Sequence, residues 1–324
     1  MNSGEIGQDA ALRTVRSSID GTEQKALFYV PPATSSGSGS GPVPLLVALH
    51  TWSENYLQCT ACPIAEKWAM IAPDFRGPNI RPESCASALA VQDVLDAVAY
   101  ARANANIDTS RIYLHGASGG GHMALMMAAK APQLWAGVSA WVPISDLAAW
   151  RIADFYSSQM DAVCGGAPGT PETDAEYAAR SPIHFLPAAR GLPIDISAGI
   201  HDGHQGSVPI SQSLTAFNIL AEANGFPGAR IPAADIESMT RDEKVPPSLA
   251  GEAQADPERE RAILFRRVAG PARITLFEGG HEAEIAASWK WLGRQRKGSP
   301  ACFEVAELPD GNRNLSFGVQ AVEH

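Results

Sequence analysis

The chain has little charge, few cysteines and no long apolar runs. Charged residues make up 19% of its 324 positions, 25 basic against 35 acidic, for a formal net charge of −10. A phosphate-binding surface needs clustered Lys and Arg, so this balance argues against a nucleic-acid partner. The densest basic cluster near a terminus, Arg294-Gln295-Arg296-Lys297, falls at the end of a predicted helix, where cations favour the helix dipole. No stretch approaches the roughly eighteen consecutive apolar residues of a membrane-spanning helix, and no membrane partner is expected. The opening residues, Met1-Asn2-Ser3-Gly4-Glu5, lack the charged-then-apolar layout of a secretory signal. The five cysteines, Cys59, Cys62, Cys85, Cys164 and Cys302, are odd in number and do not make a disulfide framework in a chain this long. Cys59 and Cys62 form a C-x-x-C, but no second pair follows to complete a zinc site, so no metal is expected.

What is present is apolar material. At 45% hydrophobic the chain buries a core easily and is too apolar to stay disordered. Two early strands, near Leu12 to Ile19 and Gln24 to Val30, flank Asp20-Gly21, a hairpin signal. The low-complexity stretch Thr34 to Pro42 reads as a surface loop before a buried strand, PLLVALH. Another short apolar run, WAMIAPD, follows. Val91, Val94, Leu95 and Val98 then recur at helical spacing.

Arg111 to His115 reads as a strand, Gly120 to Lys130 as a helix and Trp135 to Val142 as a strand. Ser145 to Leu186 holds helical pieces broken by Gly and Pro. Leu192 to Gly199 is strand-like, and Val208 to Asn224 helical. Gly228 to Gly270, polar and charged, reads as a long connection. Ala272 to Phe277 is the last strand, and His281 to Arg296 the last helix. Strands alternating with helices imply an α/β fold, a mostly parallel sheet with helices on both faces. With no repeats and no second core, residues 1–324 are expected to form a single domain.

The sharpest motif is Gly116-Ala117-Ser118-Gly119-Gly120. A bare G-x-S-x-G is weak, but here a strand ends at it and a helix begins from it. That is the strand–turn–helix of a nucleophile elbow, which stands a serine hydroxyl in the open near a helix N-terminus. Serine needs a base, and the base needs an acid to fix its tautomer. Asp202 follows the strand PIDISAGI and His281 follows ARITLFEGG, in the order nucleophile, acid, base.

His201 and His204 flank the acid as rivals for the base and are read as loop residues lining the site. Asp146, after the strand that follows the nucleophile, is the second candidate acid. An oxyanion needs two N–H donors. Gly119 is one; Trp52, with Thr51 close behind, is the other, in the run His50-Thr51-Trp52-Ser53. Trp141 and Trp150 are candidate substrate contacts beside loops near the site, with Trp52 and Tyr156 close by. Arg76 and Asn79, in DFRGPN, either touch substrate or cap a turn.

With these pieces the chain resembles the α/β-hydrolases, and among them the prolyl-oligopeptidase-like and carbohydrate-esterase-like serine hydrolases. The segments SIDGTEQKALFYVPP, DTSRIYLHGASGGGHMAL, HDGHQGSVP and FEGGH carry the likeness. The resemblance implies an eight-stranded, mostly parallel sheet and a Ser118–Asp202–His281 triad. Two departures stand out. The central strand begins at about residue 43, leaving too little chain before it for a propeller domain, which favours a small esterase over a peptidase. The HGG-type segment of many relatives is replaced by HTWS. The expectation is a serine carboxylesterase using no metal or organic cofactor, on a small-molecule or carbohydrate ester such as an acetyl or feruloyl ester. A serine peptidase acting on short peptides is the alternative.

Overall fold

A computed structural model describes residues 10–32, 41–59, 67–253 and 255–305. Most of the low-complexity stretch after Thr34, and Cys62 of the C-x-x-C, lie outside the described residues. Strands β1 (Ala11–Arg16) and β2 (Glu23–Tyr29) form the antiparallel hairpin anticipated around Asp20-Gly21. The turn is closed by the Asp20 carboxylate, which accepts from Thr22 N at 3.0 Å and from Thr22 Oγ1 at 2.7 Å.

The sheet continues through β3 (Val43–Leu49), β4 (Ala69–Pro73), β5 (Ile107–Ala117), β6 (Gly137–Trp141), β7 (Ile194–Gly199), β8 (Ile263–Ala269) and β9 (Ala272–Phe277). In space the order is β1-β2-β4-β3-β5-β6-β7-β9-β8, nine strands among the described residues. The six from β4 to β9 in that row run parallel, and antiparallel partners close both flanks.

Nine strands rather than eight is a correction, and the extra one, β8, comes from the segment read as a long connection. Its sequence, ILFRRVA, hides a strand because Arg266 occupies a buried position. That charge is matched by Asp256 at 2.9 Å, with both side chains 4% exposed. A buried ion pair thus replaces the apolar residue that alternation demands. The same segment also holds helix α7 (Ala233–Asp242).

Side-chain alternation along β3 explains why both faces are covered. Leu45, Val47 and Leu49 enter the larger core, while Leu46 and Ala48 enter a smaller one on the opposite face. Helices α1 (Ala88–Asn104), α2 (Gly119–Lys130) and α6 (Ser211–Ala223) pack on the first face. Helix α8 (Ile285–Gly293) packs on the second through Trp291 and Leu292. α1 begins at Ser87, whose hydroxyl accepts from Ala90 N at 3.1 Å, and buries Val94, Ala97, Val98 and Ala101. α2 is apolar all round and buried from Gly119 to Ala129, as a helix wedged between a sheet and its neighbours must be.

Three short helices follow β6: α3 (Leu147–Arg151), α4 (Ser157–Cys164) and α5 (Pro171–Ala179). α5 starts with Pro171 behind a capping box at Thr170. A third apolar cluster, including Trp52, Leu147, Trp150, Met160, Val163 and Tyr177, packs these helices against the loop after β3. The carboxyl edge of the parallel strands is thereby partly roofed.

Candidate active site

Ser118 sits between the end of β5 and the start of α2 with φ 55° and ψ −120°. An L-residue adopts that conformation only under compulsion. Here the compulsion is crowding. A Cβ at Gly116 would collide with the backbone of Gly120, and one at Gly119 would lie 2.5 Å from Trp52 N. Only glycine lets strand, helix and neighbouring loop come this close. The turn is fastened by Ser118 N donating to Trp141 O at 2.9 Å and His122 N donating to Ser118 O at 2.8 Å. The serine is 8% exposed.

The approach at Gly119 also sets its amide beside that of Trp52. Neither N–H donates to another group among the described residues. Trp52 is held by its own contacts: its indole donates to Gln159 Oε1 at 2.7 Å, its carbonyl accepts from Asn79 N at 2.9 Å, and its ring meets Trp150 edge-on at 4.8 Å. Thr51 N is already committed to Gln58 Oε1 at 2.7 Å. That leaves Trp52 as the available amide of the pair considered.

Asp202 and His281 are brought together from turns 79 residues apart, Asp202 Oδ2 accepting from His281 Nδ1 at 2.8 Å. The other carboxylate oxygen accepts from Gly203 N at 2.9 Å and Val208 N at 3.1 Å. Asp202 is 1% exposed, so these donors replace the water it has lost. Gly206 packs directly on the pair, where a Cβ would strike both Asp202 Oδ1 and the His281 side chain. Asp146, the second candidate acid, is elsewhere engaged: it caps α3 by accepting from Ala149 N at 3.0 Å. Of the two rival histidines, His201 faces Glu243 and Glu278, and His204 faces the Thr240 carbonyl.

Other sequence candidates prove structural. Trp141 and Trp150 are 0% and 1% exposed, which corrects their reading as substrate contacts. Their indoles donate to Ser139 Oγ at 3.0 Å and to Ser207 O at 2.6 Å, and Arg259 covers the Trp141 ring. The exposed apolar groups in this region are instead Ile152 and Phe155, between α3 and α4. Arg76 is buried and pairs with Asp93 at 2.5 Å and Asp20 at 2.8 Å, tying α1 to the first hairpin. Asn79 accepts from Cys85 N at 2.7 Å. Arg294, from the basic cluster, forms a bidentate pair with Glu258 at 2.8 and 2.9 Å.

Two buried histidines near the elbow are held neutral. Burial pulls His122 and His115 down to about 4, and their rings bond to Arg180 O and Ser288 Oγ respectively. Beside His115 an apolar cavity of about 200 Å³ is lined by Ala48, Thr51, Ala117, Ala283 and Trp289. Among the described residues no group of three or more His, Cys, Asp or Glu is placed to hold a metal ion. Gly206, Gln159 and the residues that hold His201 went unnoticed in the sequence. Packing contacts of that kind leave no motif.

The order and direction of the strands and the helices on both faces define the fold as that of the α/β-hydrolases. Residues 88–230, less than half of the chain, match the prolyl oligopeptidase family. Among solved structures it is similar to the acylaminoacyl peptidase of Pyrococcus horikoshii, at 16% identity and TM-score 0.53, over 66% of this chain and 35% of that one. A Mycobacterium tuberculosis puromycin-hydrolyzing peptidase matches at 19% identity and TM-score 0.54, over 66% and 34%. Prolyl oligopeptidase B from Galerina marginata matches at 17% and 0.51, over 66% and 31%. The match spans about a third of the length of these structures, and at such identities the likeness is one of fold. A comparison with curated proteins gives no match.

Proposed function

We propose that the chain hydrolyses carboxylic esters through a Ser118–His281–Asp202 triad. The observation that carries this reading is the elbow serine, held at φ 55° beside two amides that donate to no other group among the described residues, on the same sheet edge as a buried Asp202 paired with a half-buried His281. His281, with Nδ1–H directed at Asp202, presents Nε2 as the base. It takes the Ser118 proton as Oγ attacks the carbonyl. The Gly119 and Trp52 amides receive the oxyanion. The intermediate collapses to an acyl-enzyme as His281 passes the proton to the departing alcohol. Water, deprotonated by His281, then releases the acid.

An uncharged ester suits the surroundings. Carboxylates near the site are engaged: Asp202 by His281, Asp146 by the α3 N-terminus, and Glu243 and Glu278 by His201. A free carboxylate to anchor a peptide's α-ammonium is not among these four. The exposed Ile152 and Phe155 offer apolar contact to an aromatic acyl group such as feruloyl, on a carbohydrate or another alcohol. The family match over residues 88–230 favours a second reading, a serine peptidase acting on short peptides.

A panel of p-nitrophenyl acetate, acetylated sugars, feruloyl esters and aminoacyl-p-nitroanilides separates the two. Faster turnover of the anilides overturns the ester reading. Ser118→Ala is expected to lower kcat by about 10⁴- to 10⁶-fold on whichever substrate is turned over. Wild-type turnover in that variant would remove Ser118 from the mechanism.

A further inference from the structure

His201 immediately precedes the triad aspartate yet takes no part in the triad. Each of its ring nitrogens faces a carboxylate: Nδ1 lies 2.7 Å from Glu243 Oε2, and Nε2 lies 2.7 Å from Glu278 Oε1. The two glutamates come from distant stretches of chain. Glu243 ends α7 in the left-handed region, at φ 53°. Glu278 follows β9, three residues before His281. The backbone crosses the same seam, with Ile200 N donating to Phe277 O at 2.9 Å and His201 N to Gly279 O at 3.0 Å. His204 docks the same turn on α7 by bonding to Thr240 O at 2.7 Å, and its other nitrogen lies 3.6 Å from Glu243 Oε1.

The chemistry of the bridge dictates its charge. A neutral imidazole offers one N–H and one lone pair, whereas an ionised carboxylate only accepts. Two carboxylates on opposite nitrogens are both satisfied only by the imidazolium, which donates twice. A neutral ring leaves a lone pair facing a negative oxygen and undoes one side of the bridge. The charged or titratable groups facing His201 are Glu278 from the base loop and Glu243 from α7, with His204 behind Glu243. Asp202 is turned away, toward His281.

We propose that His201, as an imidazolium, is a positioning residue that clamps the acid-bearing turn to the base-bearing loop and to α7, and so aligns Asp202 with His281. This rests on the triad reading above. The hydrogen bonds to Glu278 and then Glu243 raise His201 above the ordinary histidine value, against a smaller lowering by burial. The sign follows: with the two glutamates ionised, the clamp is complete below the ordinary histidine value and is released as pH rises through that raised value.

The test compares His201→Gln and His201→Arg with wild type, reading kcat, KM and fluorophosphonate labelling rate on p-nitrophenyl acetate from about pH 6 to pH 9.5. His201→Gln, always neutral, is expected to lose about 10- to 100-fold in kcat with KM little changed, because misalignment by a fraction of an ångström is felt in the chemical step. His201→Arg keeps a permanent cation between the glutamates. It should retain most of the activity and lose the alkaline decline of wild type. A folded His201→Gln with kcat and labelling rate within about twofold of wild type at every pH overturns the clamp. If His201→Gln does not fold, Glu278→Gln carries the same test, with a smaller loss in the same direction. Wild type that resists the fluorophosphonate overturns the triad reading instead. Labelled wild type beside an indifferent His201→Gln overturns the clamp alone.

Discussion

Strand β7 carries a buried carboxylate near each end, and the two are put to different uses. Asp195, the second residue of the strand, and Asp202, three residues past its end, are each 1% exposed. Asp195 receives Arg273 as a fork at 2.8 and 2.9 Å, with Arg259 at 3.4 Å. Burial pushes its carboxyl up, but Arg273, Arg259 and Arg266 outweigh it and the net displacement is downward. Asp202 meets two backbone amides and one imidazole. Guanidinium stays charged throughout the physiological range, whereas imidazole gains and loses its proton near neutrality. Burial is therefore common to both ends. The partner's ability to exchange a proton is what separates a structural brace from a candidate catalytic acid.

Asp202→Asn should divide the two ends most widely. It is expected to lower kcat by about 10⁴-fold through the wrong imidazole tautomer while leaving the melting temperature near that of wild type. A loss of stability as large as the loss of activity would mean that Asp202 is a brace as well. Asp195→Asn should do the converse, costing about 3–5 kcal/mol in urea unfolding because Arg273 is left buried without its counter-charge. The folded fraction should keep its turnover.

The same pair carries a pH signature. Its carboxyl is depressed in the folded state, so its contribution is present above the unfolded value of about 4 and disappears as pH falls below it. Wild type should accordingly lose stability in acid more steeply than Asp195→Asn, as read from denaturation midpoints between about pH 5 and pH 2. The smallest effect belongs to a wet pair. Arg230 and Glu222 lie 2.9 Å apart but are 56% and 57% exposed, and Arg230→Ala should change stability by less than about 0.5 kcal/mol. A larger cost there would make charge pairing, rather than burial, the governing variable at Asp195.

Where the chain could be read directly, the signal was periodicity or a turn under steric constraint. The stripe of Val91, Val94, Leu95 and Val98 announced α1, and GASGG between a strand and a helix announced the elbow. The strand β8 escaped because Arg266 interrupts the apolar alternation, and its counter-charge Asp256 lies ten residues earlier. Trp141 and Trp150 looked like a substrate rim because aromatic residues beside loops do not declare which way they face. Both face inward.

Taken alone, the sequence determined the α/β class, the turn that holds Ser118 and the chain order of Ser118, Asp202 and His281. Each is a local matter, written in hydrophobic spacing and in glycines that only a crowded turn requires. Tertiary structure alone decided which acid meets His281, which amides stand beside the serine, and which histidine is bridged by two glutamates. Those are contacts between residues up to 79 positions apart, and a 2.8 Å hydrogen bond across that separation exists only after the sheet has put its edges in register. No local pattern encodes it, because the physics that sets it is the packing of the whole sheet.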